Sequence, residues 1–443
     1  LTLNRAVSIR STGGAGTFIL FKGTIDSDSV NTPRSLTVGV ANQSGTTEFQ
    51  NKLGATNPLG AVTVNRTGTV TIADDITTAN APVTFKGAVV LSGSTVITTK
   101  TVTGKGGNVA FSGTVDASAS GTETLTIVAG SAGAVSFGGA VGGTTALGAT
   151  DVAGKTITLA GNLTTSNANI SLSGAVVLNA TSTLKSNNGN ITLAGSVNGS
   201  SNGGQSLTVN AGTGDVLINA DVGNLRALNS FSVSNSNETT ISKSVKASTV
   251  SIRSDDETNL NPSITIAETA SITANTTLTM TEKNGVIDVS GRFYGTVTVT
   301  GESTTKNAST DTTTLKASSN SNFTVVGTDV SDRSKGTLTK TQPGKTATIT
   351  FSNINALDLA GGTSGNAFTL TEWFYEAAID GAGGTDSVTV NRAQDATPGL
   401  AFTLDSTDGI EIVAPTGSFG AGTTSPITID YALTSIESAS LAG

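Results

Sequence analysis

The sequence predicts an all-β chain, built as a parallel β-helix that gives way to a smaller C-terminal β module. Three observations predict it. Helical periodicity is absent, and period-2 alternation of apolar and polar residues runs almost without a break in short bursts separated by Gly, Asn, Ser and Asp. One burst recurs many times. The composition suits stacked strands: 53 Gly among 443 residues, only 13 % charged residues against about 25 % in an average globular chain, and abundant Val, Ile and Thr.

The recurring burst reads apolar, any, apolar, any, Gly, any, apolar. Early copies are Ile19-x-Phe21-x-Gly23-x-Ile25 and Val70-x-Ile72-x-Asp74-x-Ile76. Val83-x-Phe85-x-Gly87-x-Val89, Val109-x-Phe111-x-Gly113-x-Val115 and Val135-x-Phe137-x-Gly139-x-Val141 then follow at intervals of 26 residues. Copies begin again at Ile157, Ile170, Ile191, Val216 (with Ala220 for Gly) and Ile287. A shorter burst lies between them, as in Leu125-x-Ile127 and Leu207-x-Val209. A unit of about 20–26 residues holding two or three short strands cannot bury its own apolar face, and stacking unit on unit buries it. Alternation puts Val83, Phe85, Gly87 and Val89 on one side, placed inward, so Phe85, Phe111 and Phe137 are expected to form an internal ladder. Gly87 and its counterparts are expected where no side chain fits. Gly107-Asn108 and Asn188-Gly189-Asn190 are expected at corners that need positive φ. About 15 such passes at about 4.8 Å each would extend roughly 70 Å.

After about residue 300 the pattern loosens. Residues 301–350 are rich in Thr, Ser and Lys, with few inward apolar sets, and the only Trp then appears beside Phe374 and Tyr375. The division expected is 1–355 for the repeats and 356–443 for the C-terminal module, whose turns are rich in Gly and Asp.

Gly189 to Gly212, Gly-Asn-Ile-x-Leu-x-Gly-x-Val followed by Leu-x-Val-x-Ala-Gly, resembles the repeats of filamentous-haemagglutinin-like exoproteins of two-partner secretion systems, and related giant bacterial β-strand-repeat surface proteins. The resemblance covers roughly residues 15–300. It implies a right-handed parallel β-helix, export to the cell surface, and use in adhesion, biofilm or contact. The secretion domain with which such proteins start is not recognisable, so the chain is expected to be a segment of a longer protein. The start at Leu1, with neither a basic nor an apolar leader region, agrees. Residues 357–390 are faintly similar to the calcium-binding Gly-Gly-x-Gly-x-Asp nonapeptide of such proteins. Asn366 stands where an Asp is needed, and only Asp358, Asp380 and Asp386 are on offer for an ion that takes six or more oxygens. They are weak calcium candidates, and no cofactor is expected.

Missing residue types exclude much chemistry. With no His there is no Ser-His-Asp triad and no imidazole base. With no Cys there is no thiolate, disulfide or iron–sulfur cluster. A net charge of −8 argues against nucleic acid as a partner. The longest apolar runs, such as Ala88-Val89-Val90-Leu91, are far shorter than the roughly 18 residues of a membrane helix. Polysaccharide-cleaving β-helices cluster Asp with Arg or Lys on an outer face. The nearest equivalents, Arg253-x-Asp255-Asp256-Glu257, Asp74-Asp75 and Asp329/Asp332/Arg333, read as solvated turns. No catalytic residue is expected. Trp373 and Tyr375, and Phe293-Tyr294, are weak candidates for a sugar-stacking platform, set against a hydrophobic plug. The expectation is a secreted or cell-surface structural protein, a β-helical adhesin stalk or a self-assembling fibre or surface-layer subunit. It would partner itself or a cell-surface glycan. The alternative is a polysaccharide-binding or polysaccharide-cleaving β-helix protein.

Overall fold

In the computed structural model, Val83–Phe85 pairs in parallel with Val109–Phe111, which pairs in parallel with Ala134–Phe137, and the register places Phe85, Phe111 and Phe137 side by side. Their rings stack with centroids 5.5 and 5.3 Å apart, and all three are buried. That spacing is close to the 4.7–4.9 Å between neighbouring strands, so the aromatic ladder follows from the backbone ladder. Residues 1–11, 16–100, 105–255, 262–281, 284–302, 312–328, 334–342, 344–391, 401–405, 409–414 and 427–442 are described. They form strands and turns with no helix, and most strand pairs are parallel.

The chain packs as two units, Leu1–Ser236 with Val245–Ser248, and Asn237–Ser244 with Thr249–Gly443. In the first unit each pass of the chain contributes up to three short strands, one to each of three stacks. A nine-stranded sheet runs from Val7–Ile9 to Val197–Gly199 and a five-stranded one from Phe18–Phe21 to Val115–Ala117. Ile76–Thr77, Thr95–Thr98, Leu125–Val128, Thr150–Ala153, Ile170–Leu172 and Ile191–Leu193 build the third. Among the described residues of this unit, paired residues lie between 18 positions apart (Leu147 with Thr165) and 30 apart (Ile97 with Ile127), a wider spread than the sequence predicts because corner loops vary in length.

Inward and outward residues alternate as expected: Val83, Phe85, Gly87 and Val89 are buried, while Lys86 is exposed. Gly87 is required by space. A Cβ there would lie 1.8 Å from the carbonyl oxygen of Gly68 in the preceding pass. The corners differ in detail from the expectation. Positive φ falls on Asn187, Asn188 and Gly106, whereas Gly107 and Gly189 are needed because their neighbours' backbones leave no room.

The interior also carries a polar element that alternation alone does not announce. Thr78, Thr99, Thr165 and Ser186 occupy inward positions with no exposure. Each donates its hydroxyl to a nearby corner carbonyl, of Ala81 (2.6 Å), Gly107 (2.6 Å), Ala168 (2.5 Å) and Gly189 respectively. The turn thus gains an acceptor pairing inside the core, where an unpaired hydroxyl would be costly. A second device ties passes together. Asp26, Asp116 and Asn198 each accept two backbone N–H bonds from the loop one pass later, at Thr56 and Asn57, Thr144 and Thr145, and Leu225 and Arg226.

The second unit uses longer strands. Ser271–Met280 is ten residues long and pairs in parallel with both Arg292–Phe293 and Val297–Thr300. Ala274 lies inward in the middle of it, between the segment that pairs with Arg292–Phe293 and the segment that pairs with Val297–Thr300. The loosened stretch after residue 300 is ordered by a different pairing. Asn322–Gly327, Gly336–Gln342 and Lys345–Ser352 form an antiparallel three-stranded insertion. Its last strand pairs in parallel with Val297–Thr300 and its first with Ala367–Thr371. Ala401–Asp405, Gly409–Ala414 and Ile427–Thr434 repeat this arrangement, with Ile427–Thr434 joining Glu376–Asp380 in parallel. The strand after Asn355, Ala356–Ala360, pairs in parallel with Thr314–Ser318.

Candidate functional site

Among the described residues of the second unit, the inserted hairpin makes a concave feature with polar and charged walls. Only Ile349–Ser352 of the strand Lys345–Ser352 has a parallel partner in Val297–Thr300. The segment Lys345–Thr348, paired with Thr339–Gln342, extends past that partner. The overhang arches over Arg292–Tyr294 and leaves a cavity of about 530 Å³, whose walls include Glu268, Arg292, Phe293, Tyr294, Lys340 and Lys345.

Lys340 forms its floor. It lies on the inward side of its strand, is 6 % exposed, and donates to the carbonyls of Val289 (2.5 Å), Ser290 (3.0 Å) and Gly291 (2.7 Å). All three ammonium hydrogens are therefore used by the protein. Burial pushes Lys340 down to about 8, opposed by Asp288 and Glu268 and reinforced by Arg292. Phe293 lies 5.8 Å from the ammonium, ring centroid to nitrogen. At the mouth, Lys345 sits 4.4 Å over the Tyr294 ring and donates to its hydroxyl. Tyr294 is 42 % exposed, and Arg292 projects to solvent. Neither Arg292 nor Lys345 makes an ion pair among the described residues, where the ion pairs lie elsewhere. Three cations, an aromatic face and the side chains of Thr269, Gln342 and Thr346 thus converge, with Glu268 as the one acid on the wall.

Of the residues singled out from sequence, Tyr294 lies at this cavity, with Phe293 beneath it. Trp373 does not: it is fully buried, donates to the carbonyl of Glu376 (3.3 Å), meets Phe351 edge-on at 5.7 Å and accepts a bond on its own carbonyl from the Tyr431 hydroxyl (2.6 Å). Tyr375 is half-buried against it, with centroids 5.5 Å apart. This cluster plugs the interior, and Trp373 has no open face on which a sugar could stack. Asp358 pairs with Lys316 at 2.9 Å across neighbouring strands, and Asp380 accepts from the N–H of Ala382. Asp386 is wholly buried at a corner. One of its oxygens accepts from the N–H of Asn366 (2.6 Å), and its own N–H donates to Glu437. The three lie in three different settings, and no group of three acids close enough to share a metal ion occurs among the described residues. Asp74 and Asp75 both face Lys52, at 3.8 and 2.9 Å, and Asp255 pairs with Arg253 at 2.5 Å. Asp256, Glu257, Asp329, Asp332 and Arg333 lie outside the described residues.

Sequence reading missed Arg292, Lys340 and Lys345 because up to 53 positions separate them and no local motif links them. The available signal was Gln342-Pro343-Gly344, a turn sequence between two alternating Thr/Lys segments that marks a hairpin. Comparison with models of protein families, with curated proteins and with solved structures finds no match.

Proposed function

We propose that the chain is a non-catalytic structural segment of an extracellular or cell-surface protein. In this reading it is a right-handed parallel β-helix that serves as an adhesin stalk or as a subunit of a fibre or surface layer. The observation that carries the reading is the in-register parallel pairing of successive passes, with Phe on Phe and a buried hydroxyl at corner after corner of the first unit. Such a core grows in one dimension and presents repeated, mostly Thr and Ser, outward faces, which suits spacing and assembly. The resemblance of Gly189 to Gly212 to exported repeat proteins supports the location. No helix among the described residues is long and apolar enough to cross a membrane.

The test is twofold. Antibody against the purified chain should label intact source cells or their secreted material, and light scattering of the chain should show association that rises with concentration. Labelling confined to lysed cells would overturn the location, and an unchanging monomer would remove the assembly role. The cavity under the hairpin favours a second reading, polysaccharide binding, whose ligand chemistry can be specified further.

A further inference from the structure

We infer that the cavity beneath the hairpin Gly336–Gln342/Lys345–Ser352 is a binding site for a carboxylated saccharide, a hexuronate-bearing glycan. The inference goes beyond the structural role and stands or falls separately from it.

The chain has 24 basic residues and a net charge of −8, yet Arg292, Lys340 and Lys345 share one cavity. Lys340 explains part of this. Its three hydrogens are held by the carbonyls of Val289, Ser290 and Gly291, so it supplies charge from the floor and no hydrogen bond to a ligand. Arg292 and Lys345 are different. Both are exposed at the mouth and neither is committed to a carboxylate among the described residues. A guanidinium matches a planar carboxylate with two parallel bonds. Lys345 rests over the exposed Tyr294 ring and donates to its hydroxyl, contacts with which solvent competes, so an incoming anion can draw it away from the ring. The freed ring offers an apolar face with a polar edge, suited to a sugar's C–H face. Gln342 and Thr346 add donors and acceptors for hydroxyls, Thr269, whose proton goes to the Ser242 carbonyl, adds an acceptor, and Glu268 can accept from hydroxyl groups. Glu268 on the wall and Asp288 near Lys340 also disfavour a ligand carrying two charges on one group, which selects carboxylate over a phosphate monoester. The volume of about 530 Å³ falls within the range of about 300–1,000 Å³ common to small-ligand sites.

Titration calorimetry of the whole chain with an oligogalacturonate tests the inference. Its methyl ester, a sulfated oligosaccharide of similar length and an oligoglutamate serve as comparison ligands. The acid form should bind, with affinity falling as salt rises, and the methyl ester should bind about tenfold more weakly or not at all, as loss of a charge-assisted hydrogen bond predicts. Arg292→Gln and Tyr294→Ala should each weaken binding, while Lys185→Gln, an exposed cation of the first unit, should not. Thermal unfolding of each variant verifies the fold, and Gln342→Ala supplies a further variant if Tyr294→Ala does not fold. Absence of binding at millimolar ligand, equal binding of ester and acid, tighter binding of the sulfated sugar or the oligoglutamate, or unchanged affinity in Arg292→Gln would each overturn the site. None of these results bears on export or self-association.

Discussion

Phe111 and Ser112 are neighbours that should respond in opposite ways to the same substitution. Phe111 is 1 % exposed between two other Phe rings, and Ser112 points to solvent. Phe111→Asp removes a core ring, a change that costs about 3–5 kcal/mol when a Phe is truncated, and adds an unpaired buried carboxylate. It should abolish cooperative unfolding near the ordinary melting point, whereas Ser112→Asp should lie within about 0.5 kcal/mol of the native chain in urea. Equal effects would invalidate the inward register. Lys340 makes a prediction about pH. Burial lowers it to about 8 in the folded chain from its usual 10.5, so between those values the unfolded chain holds the additional proton. Stability must then rise with pH across that window, the penalty being full below it and gone above. Measured against Lys340→Met, the native chain should gain stability from pH 8 to 10.5, with a ceiling of about 3 kcal/mol. A difference that stays flat with pH would show that Lys340 titrates elsewhere. Glu123 behaves in the opposite sense. Burial pushes its carboxyl up, but bonds from the hydroxyls of Thr122 and Ser118 and the N–H of Ala119 outweigh it and hold it below the usual value of 4.5. Its contribution is present above that value and lost as pH falls through the lower, folded one.

The bend between two bursts decides whether the chain makes two strands or one. In the first unit Gly87 lets Val83–Phe85 and Val89–Leu91 join different sheets, and its missing Cβ makes room for the Gly68 carbonyl. In the second unit Ser271–Met280 runs through as one continuous strand, with Ala274 inward between the segments that pair with Arg292–Phe293 and Val297–Thr300. Gly87→Val should therefore destabilise the first unit strongly, because the clash is with backbone that cannot rotate away. Ala274→Gly in the longer strand should cost only about 1 kcal/mol, the ordinary penalty for a flexible residue inside an element. Denaturant midpoints of the two variants would compare them directly, and a mild Gly87→Val would show that the Gly68 carbonyl can move. Loops obey a parallel rule. Gly142 adopts a φ of 66° and its absent Cβ would come 2.1 Å from the Thr164 carbonyl, while Asp116 caps the loop it begins through the N–H groups of Thr144 and Thr145. Asp116→Ala leaves the exposed Thr144 and half-buried Thr145 N–H groups without that acceptor and should cost about 1 kcal/mol.

For the whole molecule the decisive properties are low charge and strand edges. Phe18 is 54 % exposed on Phe18–Phe21, the end strand of its five-stranded sheet, and Arg10 and Lys22 are the basic residues near it in sequence. Such edges invite pairing with another chain unless charge or proline blocks them. Association should therefore rise with concentration, and a Phe18→Lys variant should reduce it. Light scattering that is identical for the two chains would place the contact elsewhere. Chelator should shift the melting point by less than a few degrees, since Asp358, Asp380 and Asp386 are held by Lys316, Ala382 and Asn366 respectively. A larger fall would mean that metal contributes by mass action. The purified chain should release no reducing sugar from common polysaccharides, and any release that Arg253→Gln or Asp75→Asn abolished would overturn the non-catalytic reading.

Features that follow a local period were legible in the sequence. Alternation set which side of each strand is buried, and the spacing of Phe85, Phe111 and Phe137 set the aromatic ladder, because parallel strands in register bring equivalent residues together. It also carried the close-packed Gly positions, since an omitted side chain recurs wherever backbone meets backbone. Features that depend on which strands pair were not legible there. Thr337 and Thr350 alternate like any outward strand residues, yet they face each other across an antiparallel hairpin rather than a parallel step. That reversal leaves Lys345–Thr348 overhanging Tyr294 and gathers Arg292, Lys340 and Lys345 at one cavity. Trp373 was likewise undecidable from its neighbours, because the residues that enclose it, Phe351 and Tyr431, lie 22 positions before it and 58 after. Alternation fixes a side chain's face, but whether that face meets solvent, a cavity or another ring is set by which distant strand the backbone hydrogen bonds select.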